Sequence, residues 1–234
     1  MAAATAREEA KARAAVVATA QAMSRLGLSP GRSGNVSRRW ASGFLITPSG
    51  VAYGDLAPDA IVLVADDGSA AGRLKPSSEW QMHRAIYRAR PDRHAIVHTH
   101  SLHAVVLAAH GRPIPAFHYM VAMAGGVDIP CVGYATFGTE DLARIVADGV
   151  RDRDACLMAH HGQVAIGDDL QAALELAADV ETLAEQYVKA LSIGAPRILP
   201  DDEMQRVVAK FSRYGQRAQA QPDDGAAAKK KRKT

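Results

Sequence analysis

The chain has 234 residues, of which 48% are hydrophobic, and this length and composition predict one domain that buries a full core without disulfides. The formal net charge of +3 is concentrated in a run of lysine and arginine at residues 229–233, so the rest of the chain is close to neutral. The chain has two isolated cysteines, which exclude a disulfide scaffold. It has no apolar run near the roughly 20 residues of a membrane span, which excludes a membrane-spanning protein. Because a signal-peptide pattern is also missing, the sequence predicts a cytoplasmic protein.

The first part of the chain predicts one long helix followed by loops and strands. Thr5-Ala6-Arg7-Glu8 has the form of a capping box, in which a threonine and a glutamate three residues later satisfy free amides at a helix start. The alanine-rich helix that follows ends near Leu26, because Gly27 is typical of a helix C-terminus. The next predicted elements are a loop at 29–35, strands at 44–47 and 61–65, and a hairpin turn at 66–68.

The rest of the chain alternates strands with helices. Helices are predicted at 76–90, 101–111, 136–151, 170–191 and 201–217, and strands at 95–100, 155–158 and 163–166, whereas 114–126 stays unassigned. Strands thus lie in the middle and helices at both ends, which indicates a mixed α/β fold. We place one domain at 1–217 and a disordered basic tail at 218–234, whose lack of aromatic residues argues against a nucleic-acid partner.

The strand at 95–100 carries two histidines at strand spacing. His98 and His100 are two residues apart, so their side chains project from the same face of the strand. Two imidazoles held in this way can be two ligands of a metal ion. A His-x-His pair taken alone is more often a pair of ordinary core or surface histidines, so the interpretation depends on further ligands elsewhere in the chain.

Two other parts of the sequence offer those ligands. Three imidazoles and one carboxylate can hold a catalytic divalent metal and leave a coordination position open. One of His160 and His161 is a candidate third imidazole, and the residues alone do not choose between them. Glu79 is the candidate carboxylate, although a carboxylate in the first turn of a helix also has a purely structural role there.

Three loops combine glycine with small hydroxyl residues. They are Gly34-Asn35-Val36-Ser37, Thr47-Pro48-Ser49-Gly50 and Ser77-Ser78. Each offers backbone N–H groups and hydroxyls without bulk, and the serine pair adds a helix N-terminus, which favours an anion. Together with the metal candidates, the loops predict a phosphorylated substrate held at one end and polarised at the other.

These motifs, in this order and spacing, resemble the class II aldolase/adducin family. The motifs are GNVS at 34–37, TPSG at 47–50, PSSE at 76–79, HTH at 98–100 and HHG at 160–162. Two further stretches, 114–120 and 129–139, are similar to the L-fuculose-1-phosphate aldolase branch of that family. The resemblance covers about residues 5–216. It implies a single α/β domain with a mostly antiparallel central sheet flanked by helices in three layers.

The resemblance also implies a zinc-dependent lyase that acts on a small phosphorylated sugar. Zinc would be held by His98, His100 and His161, with Glu79 as a displaceable ligand that becomes the acid/base. The phosphate would be bound by Asn35, Ser49, Gly50, Ser77 and Ser78.

At the aldehyde end, the resemblance implies that Tyr119 donates and accepts a proton, reaching in from an adjacent subunit of a homotetramer. Phe137, Phe211 and Tyr214 would shape this end, the last two from a mobile C-terminal segment. An apolar aldehyde end favours a methyl-terminated ketose 1-phosphate, such as L-fuculose 1-phosphate or 5-deoxyribulose 1-phosphate. The products would be dihydroxyacetone phosphate and a small aldehyde such as L-lactaldehyde.

Other functions use the same metal site or none. A ribulose-5-phosphate 4-epimerase rebuilds the cleaved bond on the other face, and a methylthioribulose-1-phosphate dehydratase expels water. An adducin-like scaffold needs no metal ligands, whereas this sequence contains all four candidates, so we rank a scaffold last. Stoichiometric zinc in the purified protein would separate the enzymes from the scaffold.

Overall fold

In the computed structural model, which describes residues 2–211, the short apolar runs form the strands of one sheet. The strands of the described part are β1 (Asn35–Trp40), β2 (Gly43–Ile46), β3 (Val62–Ala65), β4 (Ala70–Ala71), β5 (Ala95–Thr99), β6 (Cys131–Val132), β7 (Ala155–Met158) and β8 (Gly162–Gly167). Their order across the sheet is β4-β3-β2-β1-β5-β8-β7-β6. All neighbouring pairs are antiparallel except β6 and β7, which are parallel.

Helices cover both faces of this sheet. They are α1 (Ala2–Arg25), α2 (Trp80–Ala89), α3 (Leu102–Ala109), α4 (Glu140–Gly149), α5 (Leu170–Ile193) and α6 (Asp201–Phe211), with short 3₁₀ helices at Tyr53–Asp55, Pro58–Ala60 and Tyr119–Ala124. No helix within residues 2–211 is long and apolar enough to cross a membrane.

The central strand β5 shows how the two faces are built. Ala95 and Val97 point into the core formed with α1, α3 and α5, whereas Ile96 points into the core formed with α2 and α4. Alternate residues of a strand face opposite sides of the sheet, so a strand buried on both faces is apolar throughout. The predicted α/β domain, with a mostly antiparallel sheet between two helical layers, is confirmed.

Most predicted elements are present, but several boundaries differ. The prediction that Thr5 caps the first helix is wrong, because α1 already begins at Ala2. Gly27 does end that helix, with a φ of +71° and Leu28 N–H donating to the Met23 carbonyl. The last helix is described only to Phe211, so the predicted extension to residue 217 lies outside the described residues.

Strands β1, β4 and β6 and the three short 3₁₀ helices of the described chain were not predicted, although the predicted hairpin turn at 66–68 leads into β4. Strand β1 contains Ser37, Arg38 and Arg39, which obscure the apolar pattern of a strand, and β6 has only two residues. The unassigned stretch at 114–126 contains the 3₁₀ helix Tyr119–Ala124 between the ends of an isolated bridge, Ile114 to Ile129. These elements depend on contacts with distant parts of the chain, which local patterns do not contain.

Candidate active site

The register of β1 against β5 gathers polar side chains on the face that carries α2. Asn35 lies opposite His98, and Ser37 lies opposite Ile96. Directly paired residues of antiparallel strands share a face, so Asn35, Ser37 and His98 lie on the same side as Ile96. His100 follows the strand and continues the alternation, which places the His98 and His100 rings 4.8 Å apart between centroids. The two histidines project side by side, as their spacing predicts.

The turn between β7 and β8 brings in the third imidazole. His160 has a φ of 56°, a left-handed conformation that non-glycine residues rarely adopt, and Gly162 resumes the sheet opposite Met158. A Cβ on Gly162 would lie 2.3 Å from the Thr99 carbonyl oxygen, so only glycine fits where β8 meets β5. The turn places the His161 ring 4.9 Å from both His98 and His100, whereas His160 is exposed and faces Tyr134.

Glu79 supplies the carboxylate from the residue before α2. Its Oε2 lies 3.1 Å from His98 Nε2, and its Oε1 lies 3.3 Å from His161 Nε2. One ligand atom from each of these residues and from His100 lies within 4.8 Å of the others. Glu79 is only 7% exposed, and its Oε1 is a buried atom that accepts no hydrogen bond from the described residues.

The protonation of these groups suits a divalent cation. His98 Nδ1 donates to the Gln163 carbonyl at 2.8 Å, which directs its Nε2 at both His100 Nε2 and Glu79 Oε2, each 3.1 Å away. Burial opposes a charge on His98, but the adjacent Glu79 carboxylate raises the pKa of His98. Burial, helped by the neighbouring imidazoles, lowers the pKa of His100 to about 3 and that of His161 to about 4, so both are neutral. Burial opposes ionisation of Glu79, but His98 outweighs it and holds the pKa of Glu79 far below its usual value.

Two unprotonated ring nitrogens that face each other repel unless a proton or a cation lies between them. Glu79 Oε1, beside these nitrogens, is a buried acceptor without a hydrogen bond from the described residues, which is costly. It too would be satisfied by a proton or a cation. Three imidazoles and one carboxylate are ligands that divalent transition metals prefer. The donor set present therefore fits a metal ion.

The candidate ligands open onto a pocket of about 370 Å³. Of the sequence-predicted residues, those that line it are Asn35, Ser49, Gly50, Ser77, Ser78, Glu79, His100, Phe137 and His161. Gly34 at its edge has a φ of +77°, and a Cβ there would lie 2.5 Å from the His98 carbonyl oxygen. A side chain at this position would separate the loop at 29–35 from the histidine strand.

One end of this pocket offers hydrogen-bond donors. The amides of Ser49 and Ser77 already donate to the carbonyls of Lys75 and Thr47, which ties the two loops together. The amides of Gly50 and Ser78 donate to no other residue in the described part of the chain. Arg32 adds the pocket's one cationic side chain among the residues that line it, and its Nη1 donates to the Gly50 carbonyl at 3.2 Å. Free amides beside a guanidinium favour an anion.

Four predicted residues do not line this pocket in the described chain. One is His98, which is fully buried beside the candidate ligands that do line it. Tyr119 and Phe211 stack on each other, with ring centroids 6.3 Å apart, and line a separate apolar groove with Met123 and Val207. Tyr119 is 49% exposed. Tyr214 lies outside the described residues.

Among the pocket-lining residues that were not predicted as site residues, Arg32 and Tyr134 have the largest side chains. Arg32 lies two residues before Gly34, and Tyr134 lies three residues before Phe137. Their only signal in the sequence is this proximity to the motifs. An exposed arginine in a glycine-rich loop and an exposed tyrosine in an irregular segment are both common on protein surfaces.

Known proteins resemble this chain over most of its length. A sequence model of the family described as Class II Aldolase and Adducin N-terminal domain matches residues 14–188. A 5-methylthioribulose-1-phosphate/5-deoxyribulose-1-phosphate aldolase of Rhodospirillum rubrum is 52% identical over 204 residues, which cover 87% of this chain and 92% of that protein. An L-fuculose phosphate aldolase of Haemophilus influenzae is 46% identical over 203 residues, which cover 86% of this chain and 94% of that protein.

A solved structure shares the fold as well as the sequence pattern. An L-fuculose 1-phosphate aldolase superimposes with a TM-score of 0.84 at 36% sequence identity, covering 86% of this chain and 96% of that chain. This chain therefore has the fold of that aldolase.

Proposed function

The chain belongs to the class II aldolase and adducin family, and from that membership we propose that it is a zinc-dependent aldolase that cleaves a deoxy-ketose 1-phosphate to dihydroxyacetone phosphate and a small aldehyde. One observation carries the proposal: three imidazoles and a carboxylate converge at one end of a pocket whose other end presents free amides. A scaffold has no use for such a donor set.

The zinc ligands are His98, His100, His161 and Glu79. When bound, zinc polarises the oxygens beside the carbon–carbon bond and thereby stabilises the negative charge that cleavage leaves on carbon. The hydrogen bond from His98 Nδ1 to the Gln163 carbonyl fixes the ring orientation and tautomer that ligation needs. Glu79 is also the acid/base that returns a proton to C3 of the sugar once the aldehyde has left.

Phosphate binds at the opposite end of the pocket. The amides of Gly50 and Ser78 and the hydroxyls of Ser49, Ser77 and Ser78 hold its oxygens, and Arg32 balances part of its charge. One Asn35 Nδ2 hydrogen points to Glu79, which leaves the second for the ligand. These groups fix the substrate so that its ketose carbons lie toward the metal ligands.

The aldehyde end is completed by a second copy of the chain. Tyr119 accepts the proton of the C4 hydroxyl as the aldehyde forms, and it reaches the pocket from an adjacent subunit of a homotetramer. Its exposure, and its place in a groove separate from the metal pocket of its own chain, support this arrangement. Phe137 faces the aldehyde from within the pocket. Phe211 lies with Tyr119 in the separate groove, and Tyr214, which is outside the described residues, stays a prediction for the same end.

The substrate has an apolar group at the end remote from phosphate. The Rhodospirillum rubrum relative bears the names of 5-methylthioribulose 1-phosphate and 5-deoxyribulose 1-phosphate, and the Haemophilus influenzae relative that of L-fuculose phosphate. All three sugars end in a methyl or methylthio group. Phe137 and Tyr134 offer apolar surface to such a group. We place the catalytic domain at residues 1–217, with the basic segment 218–234 outside it.

The deciding test is an assay of the zinc-loaded protein on these three sugar phosphates, with and without a chelator. We expect chelator-sensitive release of dihydroxyacetone phosphate, and the relative rates identify the preferred aldehyde. His98→Ala should abolish stoichiometric zinc and activity together. His110→Ala, at an exposed histidine outside the pocket, should change neither.

Other outcomes would replace the proposal. Full activity in His98→Ala would refute the assignment of the metal ligands. A zinc-loaded protein that epimerises ribulose 5-phosphate at C4, or dehydrates methylthioribulose 1-phosphate, without releasing dihydroxyacetone phosphate would be an epimerase or a dehydratase.

A further inference from the structure

A continuous line of hydrogen bonds runs from the interior beneath α2 to Glu79. The Tyr87 hydroxyl lies 2.8 Å from Ser37 Oγ, and Ser37 Oγ lies 2.6 Å from His83 Nδ1. His83 Nε2 bonds to Asn35 Oδ1, and Asn35 Nδ2 donates to Glu79 Oε2 at 3.0 Å. None of the five residues is more than 7% exposed, so water does not compete for these bonds.

The chemistry of the groups sets the direction of every bond. An ionised carboxylate only accepts hydrogen bonds, so the nitrogen of the Asn35 amide must face Glu79 and its oxygen must face His83. That oxygen also only accepts, so His83 must carry its hydrogen on Nε2. His83 Nδ1 then accepts from the Ser37 hydroxyl, which in turn accepts from Tyr87. All four bonds donate toward Glu79.

His83 is suited to remain in this state. It is completely buried and stacks on Phe44, with the ring centroids 6.5 Å apart, so a positive charge on the ring would lose its hydration. The ring therefore stays neutral, and only its tautomer is open to choice. The hydrogen bond from Ser37 selects the tautomer with hydrogen on Nε2.

We propose that His83 is a positioning residue for the acid/base: through the Asn35 amide it keeps one N–H group directed at Glu79 Oε2. This inference rests on the proposed role of Glu79. A carboxylate that alternates between binding a metal and carrying a proton needs one oxygen held in place while the other is free. In Glu79, Oε2 is held by the Asn35 amide, and Oε1 has no hydrogen bond from the described residues. Without His83, the Asn35 amide is free to turn its oxygen toward the carboxylate, and the two acceptors repel.

The tautomer can be measured without any assay of activity. In zinc-loaded protein labelled with ¹⁵N-histidine, long-range ¹H–¹⁵N correlation spectra distinguish a protonated from an unprotonated ring nitrogen. His83 signals are identified by their loss in His83→Gln. We expect hydrogen on Nε2 and none on Nδ1 at pH 7, because Asn35 Oδ1 accepts from Nε2 and the Ser37 hydroxyl donates to Nδ1. Hydrogen on Nδ1, or on both nitrogens, overturns the proposal.

Two substitutions separate hydrogen bonding from packing. His83→Phe keeps an aromatic ring but removes both nitrogens, and we expect about a 10–100-fold loss in zinc affinity, kcat/KM or both. His83→Gln places an amide nitrogen near the position of Nε2, and we expect it to recover most of that loss. Ile86→Ala, at a buried residue one turn along α2, should lower stability yet keep wild-type zinc affinity.

Each remaining outcome is decisive. If His83→Phe has wild-type zinc affinity and turnover, or if His83→Gln loses as much as His83→Phe, the ring acts by packing and the proposal fails. If His83→Phe does not fold, the tautomer and His83→Gln decide. If the wild-type protein cleaves no sugar phosphate, the proposed function fails, whereas the tautomer and the zinc affinities still test His83.

Discussion

Arg32 lies at the end of the pocket that presents free amides. Its Nη1 donates to the Gly50 carbonyl at 3.2 Å, and no other lysine or arginine in the described chain lines this pocket. A guanidinium held beside backbone amides matches the charge and shape of a phosphate group. Because phosphate is remote from the bond that breaks, this contact should strengthen binding equally in the ground state and the transition state.

We therefore expect Arg32→Gln to raise KM and to leave kcat within about twofold. Arg32 is exposed, so its contribution is about 1 kcal/mol at most, which is about fivefold in KM. Steady-state kinetics at low and high salt measure the KM of both proteins. The difference in KM between Arg32→Gln and wild type should shrink at high salt, because salt screens the charge of Arg32. Lys75→Gln, at an exposed cation near the serine loop that does not line the pocket, is the matched control. Equal KM values for Arg32→Gln and wild type would contradict the assignment.

The residues alone did not show whether His160 or His161 supplies the third imidazole. The spacing of His98 and His100 predicts that their side chains share a face, because a strand repeats every two residues. No such period governs a turn. The left-handed conformation of His160, fixed by the pairing of Met158 with Gly162, directs His161 toward the other candidate ligands. That pairing depends on the whole sheet.

The strands whose apolar side chains are buried on both faces of the sheet were predictable from the sequence. Strand β1, whose polar side chains bond to distant residues, was not. Strands β5, β7 and β8 are apolar runs, and burial alone specifies them. Strand β1 was missed because Ser37 and Arg39 look like loop residues. Ser37 bonds to His83 and Tyr87, and Arg39 donates to the Arg93 carbonyl and stacks over Tyr87. These partners are about 50 residues away in the chain.

A carboxylate on α5 holds the start of α3, immediately after the histidine strand. Glu181 Oε1 accepts from the amide of His103 at 2.9 Å and from its Nδ1 at 2.8 Å, and Oε2 accepts from the Ala104 amide at 3.0 Å. The first amides of a helix have no partner within the helix, and a carboxylate there also meets the positive end of the helix dipole. Glu181 therefore fixes the chain direction beyond His100.

Replacing Glu181 with alanine should destabilise the protein, because two half-buried amides lose their acceptor. We expect the free energy of unfolding to fall by about 1–3 kcal/mol. Urea titrations of metal-free protein measure it. Gln186→Ala, on the exposed side of the same helix, should change the free energy of unfolding by less than about 0.5 kcal/mol. If the two variants unfold at the same urea concentration, Glu181 does not hold α3.

At the scale of the whole molecule, the chain separates two sets of predicted residues. The candidate metal ligands Glu79, His100 and His161 line one pocket together with the serine loops, whereas Tyr119 and Phe211 line another. The family resemblance implied that Tyr119 reaches the pocket from an adjacent subunit, whereas it placed Phe211 only in a C-terminal segment. The motifs themselves carry no information on which copy of a chain a residue serves. Large exposed aromatic residues remain beside both pockets, with Tyr134 and Phe137 each 64% exposed. Such surfaces are typical of a subunit interface.

If the candidate metal ligands of one subunit meet Tyr119 of another, a mixed oligomer of two variants that are each inactive alone should recover activity. His98→Ala lacks the metal site but supplies an intact Tyr119, and Tyr119→Phe lacks the proton acceptor but keeps the metal site. In a ring assembled at random from equal amounts, about a quarter of the sites combine one intact half from each chain. Co-expressed protein should therefore reach about a quarter of wild-type kcat. The pair His98→Ala with Glu79→Gln, damaged in the same pocket, should stay inactive. If His98→Ala with Tyr119→Phe is equally inactive, Tyr119 does not act from a neighbouring subunit.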